Sequence, residues 1–407
     1  QFQGHSDTEV MLTAFVQWGM EESVKKFNGM FAFAVWDRRE RLLWLARDRI
    51  GEKPLYYGVQ NNTFFFASEL KALRAHPDFK PEIDRDALAT FLRFSYVPAP
   101  HSIYKGIKKL LSGHLLCLKS PVNECNPQPY WSLEEVMNAS KRTPFSSSEE
   151  EVVDELEKRL RETIRSRMIS DVPLGAFLSG GIDSATIVAI MQSQSARPVN
   201  TFTVGFHDQQ FNEAIYAKKV AKYLGTNHTE VYISPQEAME VIPKLPEIYD
   251  EPFADSSQIP THLISTLARE HVTVVLSGDG GDELFAGYNR YLIADRLWKV
   301  AARIPNAIKK TTADLMSGIS PESIDLFYSK IEGILPQKMK VSLPAEKFYK
   351  LAQILRASSN PQTIYKRMVS IIQRPEKFLI SGKELITTID AETAWQEIDD
   401  TVLTMVY

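Results

Sequence analysis

The feature that most narrows the fold is an apolar run, residues 174–178, that ends directly in Ser179-Gly180-Gly181-Ile182-Asp183-Ser184 and is followed by a helical stretch over 185–192. A strand that turns through glycines into a helix is the repeating junction of an α/β protein. Three further apolar runs, 201–205, 229–233 and 272–276, alternate with helical segments. Nearly continuous apolar strands separated by helices predict a parallel sheet covered on both faces, a doubly wound α/β domain. Sites in such folds lie beyond the carboxyl ends of the strands.

The loop predicts an anion site. Gly180 and Gly181 let the main chain approach an oxygen cluster closely, and the N–H groups of the new helix point the same way. Ser179 and Ser184 add hydroxyl donors, while Asp183 suits such a pocket only with a cation such as Mg²⁺ between its carboxylate and the anion. The plain alternative is a glycine turn in which Asp183 or Ser184 caps the helix. No Walker Gly-Lys-Ser/Thr ending and no G-x-G-x-x-G dinucleotide fingerprint is present.

A second loop, Ser277-Gly278-Asp279-Gly280-Gly281-Asp282-Glu283, also follows a strand run and is expected to open a helix over 284–291. An Asx-rich turn explains its glycines but not three carboxylates packed into residues 279–283. Two such loops on one parallel sheet converge on one crevice, one loop for the anion and an acidic one for metal and proton transfer. Val204, on the run 201–206, stands where backbone hydrogen bonds to a ligand are available, although any core strand offers a valine. The polar loop Asp250-Glu251-Pro252-Phe253-Ala254-Asp255-Ser256-Ser257 either holds an acceptor substrate or caps the helix after it.

Residues 1–118 carry a short helical stretch, 8–18, and closely spaced aromatic strand runs at 31–36, 42–47, 55–57 and 63–66, the pattern of stacked antiparallel sheets in an α+β region. A helix capped by Asp84 and carrying Leu88, Phe91 and Leu92 follows. Residues 119–149 are rich in Pro, Asn and Ser, a linker composition, and a Ser148 cap then opens a helix with the stripe Val152, Leu156, Leu160 and Ile164. The expected organisation is a first domain over 1–118, a linker over 119–149 and a second domain over 150–407.

A chain of 407 residues exceeds one hydrophobic core, so about two or three domains are expected. Its 44% hydrophobic and 24% charged residues exclude a disordered chain. With 47 basic against 51 acidic side chains the net charge is −4, which implies no broad attraction to nucleic acid or membrane. The longest apolar runs, such as Val272-Thr273-Val274-Val275-Leu276, fall far short of the roughly 18 residues of a membrane-spanning helix. Cys117 and Cys125 form no metal-ligand pattern and read as free thiols of a cytoplasmic protein. The opening at Gln1 and the stop at Met405-Val406-Tyr407, inside an apolar segment, read as the ends of a fragment.

The two loops, the run at 201–206 and the polar loop, in this order, resemble the synthetase domain of glutamine-hydrolysing asparagine synthetases of the B type. Upstream, His5-Ser6-Asp7-Thr8-Glu9, Phe27-Asn28-Gly29-Met30-Phe31-Ala32-Phe33, Arg47-Asp48-Arg49-Ile50-Gly51-Glu52-Lys53-Pro54-Leu55-Tyr56-Tyr57 and Phe66-Ala67-Ser68-Glu69 are similar to the glutaminase domain of that family, an Ntn-hydrolase-like fold. The resemblance runs to Tyr291 and is weak in the helical tail. It implies that glutamine supplies ammonia to a second domain, an ATP pyrophosphatase, which adenylates aspartate to β-aspartyl-AMP and releases pyrophosphate. Ammonia then displaces AMP to give asparagine.

The same resemblance implies that Ser179, Gly180, Gly181, Asp183 and Ser184 hold the pyrophosphate portion of ATP, that Phe177 and Val204 contact the adenosine through main chain, and that Ser277 and Gly278 meet the ribose and α-phosphate. Asp183 and Asp282 would hold Mg²⁺, Asp7 the amino group of glutamine, and Asp279 would assist formation or breakdown of the acyl adenylate. The better-studied members of the family have glutamate at the position of Asp279, a departure that keeps the charge on a shorter side chain. The family's amino-terminal cysteine, its arginine and its asparagine-glycine elements would precede Gln1, and its adenylate-steadying lysine would follow Tyr407, so the chain alone is expected to lack glutaminase activity. The expected partners are glutamine, aspartate and ATP, with neither nucleic acid nor membrane and with a homodimer left open. The alternatives are an amidotransferase of the same fold acting on another carboxylate, as in β-lactam synthetases or the amidation of cell-surface sugars or peptides, and an inactive nucleotide-binding scaffold.

Overall fold

The computed structural model describes residues 2–4, 6–119, 125–143, 145–208, 212–334, 343–357, 360–387 and 390. They fall into two compact units, Gln1–Gly278 with Pro375–Leu385, and Asp279–Arg374 with Ile386–Tyr407.

The first unit opens with α1 (Asp7–Lys26), capped by Ser6, whose hydroxyl accepts the Thr8 N–H at 3.1 Å. The stretch expected over 8–18 ends where Gly19 leaves helical geometry, at φ 76° and ψ 171°, and the helix resumes beyond it. Among the described residues seven strands follow before Glu149: β1 (Ala32–Asp37), β2 (Leu42–Arg47), β3 (Tyr56–Gln60), β4 (Thr63–Ala67), β5 (Ile107–Lys109), β6 (His114–Leu118) and β7 (Gln128–Pro129). Helices α2 (Leu70–Arg74) and α3 (Arg85–Phe94) stand between β4 and β5. The strands form two antiparallel sheets, in the orders β1-β2-β6-β7 and β4-β3-β5. Leu45, Leu116 and Leu118 of the first pack with Tyr57 and Phe64 of the second in one core cluster.

The turn after β2 explains the Arg47–Tyr57 motif. Asp48, 1% exposed, accepts four main-chain N–H groups, from Phe31 at 3.2 Å, Gly51 at 2.6 Å, Glu52 at 2.9 Å and Lys53 at 3.0 Å. Arg47 donates to the carbonyls of Gly51, Lys53 and Leu110. Replacing Asp48 by Asn puts an amide N–H where an acceptor is required, and chemical denaturation is expected to register a loss of about 2 kcal/mol. An unchanged midpoint would show that the turn holds without the carboxylate.

Asp84 caps α3 as expected, accepting the N–H groups of Asp86 and Ala87. Among its described residues the stretch 119–149 contains β7 and α4 (Leu133–Arg142), whose Ser132 cap accepts the Glu135 N–H and whose acidic first turn and basic last turn suit the helix dipole. Helix α5 (Glu149–Arg167) starts at the Ser148–Glu151 capping box.

Next come β8 (Leu174–Phe177), α6 (Ile182–Gln194), β9 (Asn200–Phe206), α7 (Ala214–Leu224), β10 (Asn227–Ile233), α8 (Pro235–Val241), α9 (Leu245–Ile248), α10 (Gln258–Arg269) and β11 (Val274–Leu276). The strands form a parallel sheet in the order β10-β9-β8-β11. On one face Ala176 and Leu178 pack with Ile164 of α5, Val188 and Met191 of α6 and Ala217 of α7; on the other, Phe177 and Phe202 pack with Ile264, Leu267 and Ala268 of α10. The sheet grows from β8 in both directions, so the chain reverses its winding between β8 and β11, the place where an open parallel sheet leaves a crevice at its carboxyl edge.

The second unit is helical: α11 (Gly281–Leu284), α12 (Asn289–Ala301), α13 (Asn306–Ser317), α14 (Pro321–Ile331), α15 (Pro344–Ala357) and α16 (Pro361–Val369). Helix α12 packs on α16 and α13 on α15, and Tyr291 and Ala294 of α12, Ile354 of α15 and Ile364 of α16 form one core cluster. Among the described residues no helix is long and apolar enough to cross a membrane.

Candidate active site

The crevice is built from the end of β8. Leu178 donates its N–H to the Phe202 carbonyl at 2.9 Å, and the buried Thr203 hydroxyl donates to the Leu178 carbonyl, so the residue just after β8 is held from β9 before the loop begins. Helix α6 starts at Ile182, three positions before the expected 185, which puts Asp183 and Ser184 in its first turn. Its N-cap is Gly181, which has no side chain to satisfy the first N–H groups, and an uncapped helix N-terminus attracts anions.

The two serines shape the loop from within. Ser184, 8% exposed, accepts the Ser179 N–H at 3.0 Å and shares a 2.8 Å bond with the Ser179 hydroxyl. The Ser179 hydroxyl in turn accepts the Gly181 N–H at 3.1 Å. Asp183 stays exposed.

The glycines are required by close approach. A Cβ on Gly180 would lie 2.7 Å from Cβ of Tyr216 on α7, and one on Gly278 would lie 2.7 Å from the main-chain nitrogen of Ser184 and 3.1 Å from Cβ of Asp183. Gly278 is therefore pressed against the first turn of α6. The structure brings Ser179, Gly180, Gly181, Asp183, Ser184 and Gly278 together, and Ser277 precedes Gly278 directly after β11, whose Leu276 pairs with Ala176 of β8.

Val204 lies on β9 two residues beyond Phe202, the partner of Phe177. Alternate residues of a parallel strand turn their main-chain groups to the same neighbour, and Phe202 turns toward β8. Val204 therefore turns its N–H and carbonyl to a level where β8 has already ended. The Phe177 side chain packs on the α10 face with Phe202, Ala268 and Val272, which leaves only its main chain toward the loop.

The expected helix over 284–291 is corrected. Helix α11 is a single turn, entered through Gly280 at φ 94° and left through Ala286 at φ 56° and Gly287, whose N–H donates to the Asp282 carbonyl at 3.0 Å. A Cβ at Gly287 would fall 1.9 Å from the Asp282 Oδ1, so this turn seats the Asp282 carboxylate. The Tyr288 hydroxyl donates to the Glu283 carboxylate at 2.6 Å, and the Arg290 guanidinium lies 4.0 Å over the Tyr288 ring. The bond to Glu283, with burial and the Glu283 charge behind it, pushes the Tyr288 hydroxyl up to about 12, so Tyr288 remains a donor. Asp279 and Asp282 both belong to the second unit, and Asp279 is exposed.

Asp7 is exposed in the first turn of α1, with Oδ1 at 3.4 Å from the Ser6 hydroxyl and 3.5 Å from that of Thr8. His5 and residues 405–407 lie outside the described residues.

The loop 250–257 has a role that the sequence did not announce. Ser257 makes no side-chain cap to α10. Glu251 instead pairs with Lys109 of β5 at 2.5 Å and accepts the Ile103 N–H at 2.9 Å, while Asp250 stands 3.5 Å from Lys71 of α2. Burial pushes the Glu251 carboxyl up, and Lys109 opposes that shift. Nothing in the local pattern Asp-Glu-Pro signals these partners.

Among the described residues no three His, Cys, Asp or Glu side chains converge as a metal site. A Mg²⁺ bound with a nucleotide needs only one or two protein carboxylates, and Asp183, exposed beside the uncapped helix end, supplies such a donor.

Taken together, the chain joins an antiparallel two-sheet region to a parallel sheet that carries an uncapped glycine loop at its switch point. The comparisons with known proteins agree: the glutamine amidotransferase domain family matches residues 1–131, and the asparagine synthase family matches residues 155–404. The chain belongs to the asparagine synthase family, in its glutamine-hydrolysing arrangement. A protein of Methanocaldococcus jannaschii, named as a candidate glutamine-hydrolysing asparagine synthetase, is 35% identical over 89% of this chain and 68% of its own length. The glutamine-hydrolysing asparagine synthetase 1 of Bacillus subtilis is 37% identical over 79% of this chain and 49% of its own length. An amidase of Penicillium rubens is 31% identical over 72% of this chain and 44% of its own length. The chain is thus matched over about two thirds of the first of these relatives and about half or less of the others.

Proposed function

We propose that the protein carrying this chain makes an amide from a carboxylate, with ATP as the activator and glutamine as the nitrogen source, and that its acceptor is aspartate. The observation that carries the proposal is the uncapped start of α6, with Gly278 pressed on its first turn at the switch point of the sheet. A carboxylate does not expel oxide when an amine attacks, so it must first be given a leaving group. The β-carboxylate oxygen attacks the α-phosphorus, the bond to the β-phosphate bridging oxygen breaks, and pyrophosphate leaves. Ammonia then adds to the acyl carbon, AMP departs with the carboxylate oxygen, and the amide loses its extra proton.

In this reading Ser179, Gly180, Gly181 and Ser184 form the cradle for the pyrophosphate, whose charge meets the main-chain N–H groups of the α6 first turn. Val204 and Phe177 offer main-chain bonds to the adenosine, and Ser277 and Gly278 border the ribose and α-phosphate. Asp183 and Asp282 would hold Mg²⁺, which when bound neutralises the departing pyrophosphate. Asp279 assists the acyl adenylate, and Asp7 receives the amino group of glutamine. We read the first region as stacked sheets of the Ntn-hydrolase type and the second as a doubly wound domain. The need for ATP, glutamine and aspartate makes the cytoplasm its place.

The test is pyrophosphate release by the protein at its native length, with ammonia as nitrogen source, over a panel of carboxylates. Stimulation by aspartate alone is the expected result. The likeness to a protein named an amidase favours a second reading, the same chemistry on a different acceptor. Release stimulated by another carboxylate and not by aspartate would establish it.

A further inference from the structure

The loop 250–257 leads into α10, which runs back toward the start of β11, so the loop stands at the carboxyl edge of the parallel sheet, the edge that carries the Ser179–Ser184 and Ser277–Gly278 turns. Its first residues are held by ion pairs, and its exposed remainder by single hydrogen bonds, Ala254 to Ser95, Ser257 to Asp255 and Gln258 to Phe253. Phe253, Ala254, Asp255, Ser256 and Ser257 are exposed, whereas the Glu251 side chain is only 11% exposed and that of its partner Lys109 only 17%.

Its long-range ties among the described residues reach the stretch that matches the amidotransferase family. Glu251 uses one oxygen for Lys109 and the other for the Ile103 N–H. Lys109 also donates to the Val97 carbonyl at 2.5 Å, which fixes the ammonium from a second side. Lys71 bridges Asp250 and the Glu247 carbonyl, and Ala254 donates its N–H to the Ser95 carbonyl at 2.8 Å. A second contact of the same kind, the two-pronged pair of Arg167 with Glu52, joins α5 to the Asp48 turn. Charges removed from water interact strongly and in one geometry, so the Lys109–Glu251 pair sets where the exposed part of the loop begins.

We propose that Lys109, a residue of the amidotransferase region, is a positioning residue for the synthase region: through Glu251 it fixes the loop 250–257 in the arrangement that receives the acceptor acid. The proposal rests on the amide-forming reading above. It means that the second region's use of its acceptor depends on a side chain it does not own. Docking of the two regions and acceptor binding are thereby linked through one ion pair, a link that no residue of the loop could supply alone.

The experiment compares the protein at native length with Lys109→Met, Lys109→Arg and the double variant Lys109→Met/Glu251→Gln. The double variant removes both charges and keeps an acceptor for the Ile103 N–H, so it folds even where the single change leaves Glu251 buried without its partner. With ammonia as the nitrogen source, Lys109→Met and the double variant are expected to raise KM for the acceptor about tenfold, because a displaced loop misplaces the substrate, while KM for ATP stays within about twofold. Lys109→Arg, which keeps the charge, recovers most of the loss. Hydrogen–deuterium exchange reads the tether without any assay of activity: amides 253–257 are expected to exchange faster in the double variant and those of α6 to stay unchanged. Unchanged exchange overturns the tether, and faster exchange with an unaltered acceptor KM overturns the positioning role. A wild-type protein inactive with every carboxylate defeats the amide-forming reading, and the acceptor role with it, while exchange still decides the tether.

Discussion

Replacing Asp183 by Ala is expected to reduce ATP-dependent pyrophosphate release by roughly 10²- to 10³-fold, the usual loss when one electrostatic element of a preorganised charge-stabilising site is removed. The side chain is exposed on the first turn of α6 and packs into no core cluster, so its removal leaves the fold intact. The loop is held by Ser179 and Ser184, not by Asp183. Thermal unfolding should therefore be unchanged while turnover collapses, and the loss should be concentrated in the Mg²⁺ dependence of the rate. Wild-type turnover in Asp183→Ala would mean that the Ser179–Ser184 loop is a strand-to-helix turn and nothing more.

The second large effect is expected from a single methyl group. In Gly278→Ala the new Cβ falls 2.7 Å from the Ser184 main-chain nitrogen and 3.0 Å from the Asp183 carbonyl carbon. Backbone cannot swing aside as a flexible side chain does, so either the Ser277–Gly278 turn or the first turn of α6 must move. A displacement approaching 1 Å at a site that works by positioning costs on the order of 100-fold in rate. Gly181→Ala is the internal control. Its Cβ meets only the Ser179 hydroxyl, at 3.1 Å, and a far smaller loss in pyrophosphate release is expected. Equal effects at the two positions would sink the idea that the approach of the two loops governs activity.

Local spacing made much of this legible. The Asp84 and Ser148 caps, the strand runs of both regions and the junction at Ser179–Ser184 depend on residues a few positions apart, and the structure reproduces them. Where a long-range contact competes, local reading fails. The helix expected over 284–291 is broken because Gly287 closes onto Asp282 and Ala286 adopts a left-handed conformation, a turn that alanine does not announce. The early start of α6 has no local signal, because its cap is a glycine without a side chain. Local pattern reads the loop 250–257 as either an acceptor site or a helix cap, and its first residues serve a third role, with Ile103 as a partner 148 residues away in the chain.

By itself, then, the sequence determined the chemistry on offer: a glycine-bearing loop after an apolar strand, an acidic loop after another, and the aromatic strand runs of a region placed ahead of them. Short-range periodicity and turn chemistry are enough for that, because each depends on neighbours along the chain. Only the tertiary structure decided which of these groups meet. Strand order puts the first and last strands of the parallel sheet side by side, and that pairing presses Gly278 onto Asp183 and Ser184. Burial of the Lys109–Glu251 pair follows from the same cause, since the free energy of a contact between distant residues depends on packing that no local pattern encodes.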